Sequence, residues 1–317
     1  MRSTTISTRY GDISVAGVME TFADGALRSC PACAECALDT PLGKLVPQFT
    51  TDDLRKKEVQ PVVFHEDGTL KMLPLERRTE IPTPAGMLPA ELVTFHPDGA
   101  VSRVFPLNGK LTGYWTQDDE ADLARPVRLR TPVGEIFTRI IGVGFHESGA
   151  LRSVTLWPGD TVTVPTPLGE FEVRVGLSFT PDGALESLEP AKPTPVPTPA
   201  GTITAYDPDA VGINGDVNSL VFGPDGAVRR VTTTMTRLLV LGPDGETAFT
   251  PQSRESLCGD SEREVVPMTV VFEPDAVEIG TDPDAAPVRL PRVGCEFTAE
   301  PYLPRLANPF AILRCSV

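Results

Sequence analysis

Apolar positions along the chain come in short runs with a period of two. Val175, Leu177 and Phe179 are separated by Gly176 and Ser178, and Val162 and Val164 alternate with threonines. This alternation predicts strands with one buried face. Between the runs Pro, Asp and Gly cluster, and 33 prolines with 27 glycines leave little room for long helices. The pattern predicts an all-β chain of short strands joined by tight corners.

The corners are spelled in two ways, and both spellings recur. The first reads FHEDGTL from Phe64, FHPDGAV from Phe95, FHESGAL from Phe145, FTPDGAL from Phe179 and FGPDGAV from Phe222, with a shortened FADGAL from Phe22 and a worn LGPDGE from Leu241. Pro presets φ for the first turn position, Asp tolerates the second, and Gly takes the positive φ that a side chain resists, which gives a type I turn with a bulge. The second spelling is TPLG from Thr40, TPAG from Thr83, TPVG from Thr131, TPLG from Thr166 and TPAG from Thr198. The two interleave in a unit of about 30 residues, a period typical of repeat architectures.

The unit is expanded at 47–60, 106–125 and 206–218. Insertions of this kind project as loops, and loops carry function more often than the scaffold does. In the second, TQDDEADLA from Thr116 places an N-cap Thr, an acidic first turn and Asp119 at the third position, and so predicts a short helix. Residues 246–317 drift from the pattern. FEPDAVEI at Phe272 keeps Phe and Asp but loses the Gly, which suggests a degenerate repeat acting as a C-terminal cap, or a separate small domain, after a β-repeat domain at 1–245.

The F-x-x-[DS]-G-x-[LV] core resembles the variant MORN-type repeats of bacterial proteins. With T-P-x-G interleaved, and with PLNGKLTGYW and LRSVTLWP, residues 15–245 look like an uncharacterised bacterial repeat family. The resemblance implies an antiparallel meander of tandem hairpins wound into a solenoid-like, MORN-like twisted sheet. It also implies a scaffolding or partner-binding role.

Charge narrows the partners. A net charge of −15, with Arg55-Lys56-Lys57 as the densest cationic run, disfavours nucleic acid and anionic membrane, since a phosphate-binding surface needs clustered Lys and Arg. The opening MRSTTISTRYGDISV has no apolar core of the signal-peptide kind, and no window approaches the roughly 18 apolar residues of a spanning helix. These features lead us to expect a soluble, cytoplasmic chain.

Candidate chemistry is sparse. Cys30, Cys33 and Cys36 are spaced C-x2-C-x2-C, the opening of a ferredoxin-type run, but the next ligand position is Thr40 before Pro41, which the TPLG corner already explains. The three thiols could be unliganded, could exchange in redox chemistry, or could hold zinc or an iron–sulfur cluster with Cys258, Cys295 or Cys315 as a remote fourth ligand. His65, His96 and His146 all follow the motif Phe. They suit a metal- or proton-sensing ladder or, more simply, outward-facing filler. DPDAVGINGDVN from Asp207 echoes a calcium loop through Asp207, Asp209 and Asn218, without the bidentate Glu. Tyr114 and Trp115 are a candidate partner anchor in the longest expansion.

No residue is marked as catalytic, because no G-x-S-x-G, G-x4-G-K-[ST] or H-E-x-x-H pattern occurs. The leading expectation is a non-enzymatic repeat scaffold for a protein partner. The alternatives are a metal-binding or redox accessory protein using the three cysteines, and a carboxylate-dependent enzyme acting on glycans, whose acid pair would leave no local spacing to read.

Overall fold

The computed structural model describes residues 3–52, 54–210, 218–255 and 263–303. The chain is all-β, with antiparallel sheets, 56% strand and 2% helix. It divides into two compact units, Met1–Asp160 with Phe179–Ala184, and Thr161–Ser178 with Leu185–Val317.

In the first unit one sheet meanders in sequence order through Glu20–Thr21, Leu27–Cys30, Val62–Phe64, Leu70–Thr83, Gly86–Phe95, Val101–Phe105, Ile140–Phe145 and Leu151–Leu156. The neighbours in this series pair antiparallel. In the second unit the order is Gly169–Phe179, Leu185–Pro190, Leu220–Phe222, Val228–Thr233, Met268–Phe272, Ala276–Gly280 and Val288–Pro291. FEPDA therefore still makes a strand pair, Phe272 opposite Val277, on the edge of Val228–Thr233.

Each Phe-x-x-Asp-Gly copy closes the same turn. At His96, Gly99 N–H donates to His96 O and His96 N–H to Ala100 O, with Gly99 at φ 87°. The same bonds recur at His65, His146, Thr180 and Gly223. This is a type I turn followed by a left-handed glycine. Asp does more than tolerate its position: the carboxylates of Asp24, Asp67, Asp98 and Asp225 accept the backbone N–H two residues on.

The T-P-x-G corners are two-residue loops of short hairpins. The Thr hydroxyl donates to the Gly carbonyl four times in the first unit, at Thr8, Thr40, Thr83 and Thr131, and twice in the second, at Thr166 and Thr198. Thr8-Arg9-Tyr10-Gly11 is a member of the set that its Arg hides from a sequence pattern. In the first unit these hairpins bury Ile13, Leu38, Leu45, Ile81, Leu88, Leu129 and Ile136 on alternate positions. Their tips rest on Phe-motif turns farther along the chain. A Cβ added at Gly99, Gly149 or Gly183 would meet Pro41, Pro84 or Pro132 at 3.7–3.8 Å.

The three histidines are not outward filler. Each is half-buried, and its Nε2 bonds the carbonyl of the next motif Phe: His65 to Phe95 at 3.2 Å, His96 to Phe145 at 3.0 Å and His146 to Phe179 at 2.9 Å. The ring lies along the turn and spans the gap between successive copies, which a Thr or Gly at that position cannot do. Each imidazole is thereby engaged with backbone, and the three do not assemble into one site.

Candidate functional site

The expansions at 47–60 and 106–125, separated by some fifty residues of chain, come together in the first unit around Arg55. The first is shaped by Asp52, whose Oδ1 accepts the backbone N–H groups of Leu54, Arg55 and Lys56 at 2.9, 2.5 and 2.8 Å. Burial opposes ionisation of Asp52, but these three amides outweigh it and hold its carboxyl below the ordinary value. Gln48, 1% exposed, ties the loop ends by donating to Thr50 O and Glu58 O and accepting from Gln60 N–H. Glu76, from the sheet, takes the amides of Phe49 and Thr50 and the Thr50 hydroxyl.

The second expansion carries the expected helix, Gln117–Ala121. Thr116 caps it, and Asp119 answers through a reciprocal capping box. The helix turns Glu120 inward. Arg55 meets Glu120 in bidentate fashion, Nε to Oε2 at 2.7 Å and a terminal nitrogen to Oε1 at 2.6 Å, and also reaches Glu91 Oε2 at 2.7 Å. Trp115 Nε1–H donates to Glu120 Oε2 at 2.6 Å and Gly109 N–H to Oε1 at 2.9 Å. Lys110 N–H donates to Arg55 O, and Asn108 Nδ2 to Gln60 Oε1, so the two expansions are joined through backbone and side chain alike.

All three ionic side chains are nearly buried, Arg55 at 11% exposure and each Glu at 7%. Burial is the largest influence on Glu120 and raises it, yet Arg55, Trp115 and the Gly109 amide together hold it below the ordinary carboxylate value. Burial likewise works against the Arg55 cation, and the two carboxylates more than restore it. Lys56 at 3.7 Å and Arg78 at 3.6 Å complete the charge balance at Glu91. A buried bidentate pair with both carboxylate oxygens engaged fixes geometry. It leaves no carboxyl oxygen of Glu120 free to move a proton.

The network divides the aromatic pair. Trp115 is half-buried and spends its N–H on Glu120, whereas Tyr114 is 77% exposed with Lys57 Nζ 4.9 Å from its ring centre. Leu54 and Leu111, one from each expansion, are 49% and 55% exposed. A cleft of about 190 Å³ lined by Leu107, Leu111, Ile141, Trp157 and Pro158 opens beside Glu120.

In the second unit Glu189 is a contrasting buried acid at 0% exposure. It accepts Ser219 N–H at 2.7 Å and Asp207 N–H at 3.4 Å, with Arg174 no nearer than 3.7 Å. Burial therefore wins and pushes its carboxyl up, as it also does for Asp207 against the opposing Asp209 amide. The three acids line a cavity of about 270 Å³.

The cysteine triplet lies between Leu27–Cys30 and Leu38–Thr40. Cys30 is buried and its thiol is pushed up to about 11 by burial and by Cys36; Cys36 is raised by burial and by Cys33. Cys295 is half-buried in the second unit, and Cys258 and Cys315 lie outside the described residues. Among the described residues, no group of three or more His, Cys, Asp or Glu side chains is arranged to hold a metal ion. The centre of the calcium-like segment, 211–217, lies outside the described residues; Asp207 turns its carboxylate to Asp209 N–H at 3.0 Å.

Sequence alternation misses Arg55, Glu91 and Glu120. The available signals were the Arg55-Lys56-Lys57 run inside one expansion and the acidic helix inside the other. Glu91 was hidden because the pairing of Leu70–Thr83 with Gly86–Phe95 slips between Pro74 and Thr79, changing which residues of the partner strand face in. No protein-family model, curated protein or solved structure matches this chain.

Proposed function

We propose that the chain is a non-enzymatic, MORN-like β-repeat scaffold, solenoid-like in its winding, that binds a protein partner through the paired expansions at 47–60 and 106–125. One observation carries the reading: the buried Arg55–Glu120–Glu91 network is spent on holding Tyr114 outward, 77% exposed, on a rigid mount. Rigid, exposed aromatics concentrate binding energy, and a preorganised loop loses little entropy when it docks. The test is affinity capture from the native cell, with bound proteins identified by mass spectrometry. The Tyr114→Ala chain should lose the partner that the wild-type chain retains, with affinity reduced by about 30-fold. Equal capture by both chains overturns the assignment.

The raised Glu189 and Asp207 beside a cavity favour a second reading, a carboxylate-dependent enzyme acting on glycans. Release of reducing ends from a polysaccharide panel, abolished by Glu189→Gln, would select it.

A further inference from the structure

We infer that the cleft beside Glu120 receives one large apolar side chain of the partner, carried on a basic segment whose cations lie against Asp118 and Asp122. The inference rests on the partner-binding role proposed for the two expansions and names the chemistry that this role selects.

The walls of the cleft suit an apolar group. Leu107 and Leu111 come from the expansion at 106–125, Ile141 from the strand Ile140–Phe145, and Trp157 and Pro158 from the turn after Leu151–Leu156. Trp157 is 7% exposed and Leu111 55%, so the sheet side is fixed and the loop side is open to an incoming group. The volume of about 190 Å³ falls short of the roughly 300 Å³ at which pockets for whole small molecules begin, and it matches a single large side chain. Among the described residues Glu120 is the one carboxylate on the wall, and Arg55 binds both of its oxygens. No uncompensated charge is left inside to draw in an ammonium group.

The rim has the opposite character. The helix turns Gln117 and Glu120 to the cleft, and Asp118 and Asp122 follow each other one turn apart on the adjoining side. Both aspartates are exposed, and among the described residues neither carboxylate has an ion-pair partner. Arg125, the one cation between Thr116 and Pro126, spends a terminal nitrogen on the carbonyls of Asp122 and Ala124. Lys110, beside Gly109 in the loop, has Glu58 at 3.8 Å. An apolar pocket edged by unpaired carboxylates complements a segment in which Lys or Arg stands close to a large apolar residue. An acidic segment would set like charges against the rim.

Selection of a random peptide library displayed on phage against the whole immobilised chain tests this. We expect the enriched sequences to share one Leu, Phe or Trp flanked by Lys or Arg. A synthetic peptide of that consensus should bind more weakly as salt is raised. Asp118→Asn with Asp122→Asn should weaken it by about tenfold at low ionic strength and by far less at high, a salt dependence that a purely structural role would not produce. Leu111→Ser should weaken it by about tenfold at either ionic strength. Met87→Ser, at an exposed hairpin position of the same unit, should leave binding unchanged. All of these residues are exposed, so thermal unfolding of each variant should stay close to that of wild type, which separates lost binding from lost fold.

This inference and the role proposed for Tyr114 fail separately. Native capture indifferent to Tyr114→Ala removes the anchor and leaves the cleft to be decided by the peptides. A native partner lost by Tyr114→Ala but kept by Leu111→Ser and by the paired asparagines overturns the cleft alone. Enrichment of acidic or uncharged peptides, enrichment of none, or binding indifferent to the paired asparagines would overturn it equally.

Discussion

Glu120 and Glu189 are two buried carboxylates at the feet of two expansions, and they end in opposite electrostatic states. Both accept backbone N–H groups from inserted chain, Gly109 to Glu120 and Asp207 to Glu189. Burial is the largest influence on each and pushes both upward. The difference lies in the arginine. Arg55 is committed to its carboxylates at 2.6–2.7 Å, whereas Arg174 spends its donors on Pro190 O and Asp207 O, stacks 5.0 Å from the centre of the Tyr206 ring, and stays 3.7 Å from Glu189. About one ångström of separation, together with the geometry it permits, decides whether the acid is a charged clamp or a reluctant, half-compensated group.

Breaking the clamp gives the largest effect. Glu120→Gln leaves the buried Arg55 cation with Glu91 alone and should lower stability by about 3 kcal/mol at neutral pH, measured by urea unfolding. Because the folded state depresses this carboxyl below the ordinary 4.5, its contribution is complete above pH 4.5 and is lost as pH falls through the folded value. The gap between wild type and variant should therefore close in acid. A gap that stays constant with pH would show that Glu120 acts through packing instead of charge.

Gly109→Ala strikes the same clamp from the backbone side. A Cβ at Gly109 would overlap the Glu120 carboxylate, and Glu120 cannot yield without leaving Arg55. We expect a loss of about 2 kcal/mol, within the range for overpacked sites. Combined with Glu120→Gln the effects should be strongly sub-additive, since both damage one network.

The framework of this molecule was legible and its clamps were not, for physical reasons. Turn chemistry is local: Pro, Asp and Gly at fixed offsets specify the Phe95–Gly99 corner without help from the rest of the chain, and Thr116 with Asp119 specify their own helix cap. The Arg55–Glu120 contact spans 65 residues, and the Arg55–Glu91 contact depends on a register slip that alternation cannot register. The histidines show a third case. Their spacing announced a series, but the acceptor is a backbone carbonyl in the next copy, and carbonyls leave no mark in a sequence. Tyr114 and Trp115 read as one aromatic pair because neighbouring letters look alike; only the Trp115 bond to Glu120 assigns them different tasks.

Glu189→Gln offers the smallest effect and the sharpest contrast, because its pH dependence runs the other way. The folded state raises this carboxyl above 4.5, so the proton is held more tightly in the native chain than in the unfolded one. Its contribution to stability is then most favourable below pH 4.5 and is lost as pH rises through the folded value. Glutamine has no proton to lose and keeps an oxygen to accept from Ser219 N–H, although its amide must turn one N–H toward the side where Asp207 and Arg174 donate. The two effects oppose each other, and the net change at pH 7 should stay under about 2 kcal/mol. The sign of the slope is the decisive quantity. Relative to wild type, Glu189→Gln should gain stability between pH 4.5 and neutrality, while Glu120→Gln loses it over the range just below. If Glu189→Gln instead follows the Glu120 pattern, then Arg174 closes on Glu189 in solution and the expansion at 206–218 is clamped by the same device as the pair at 47–60 and 106–125.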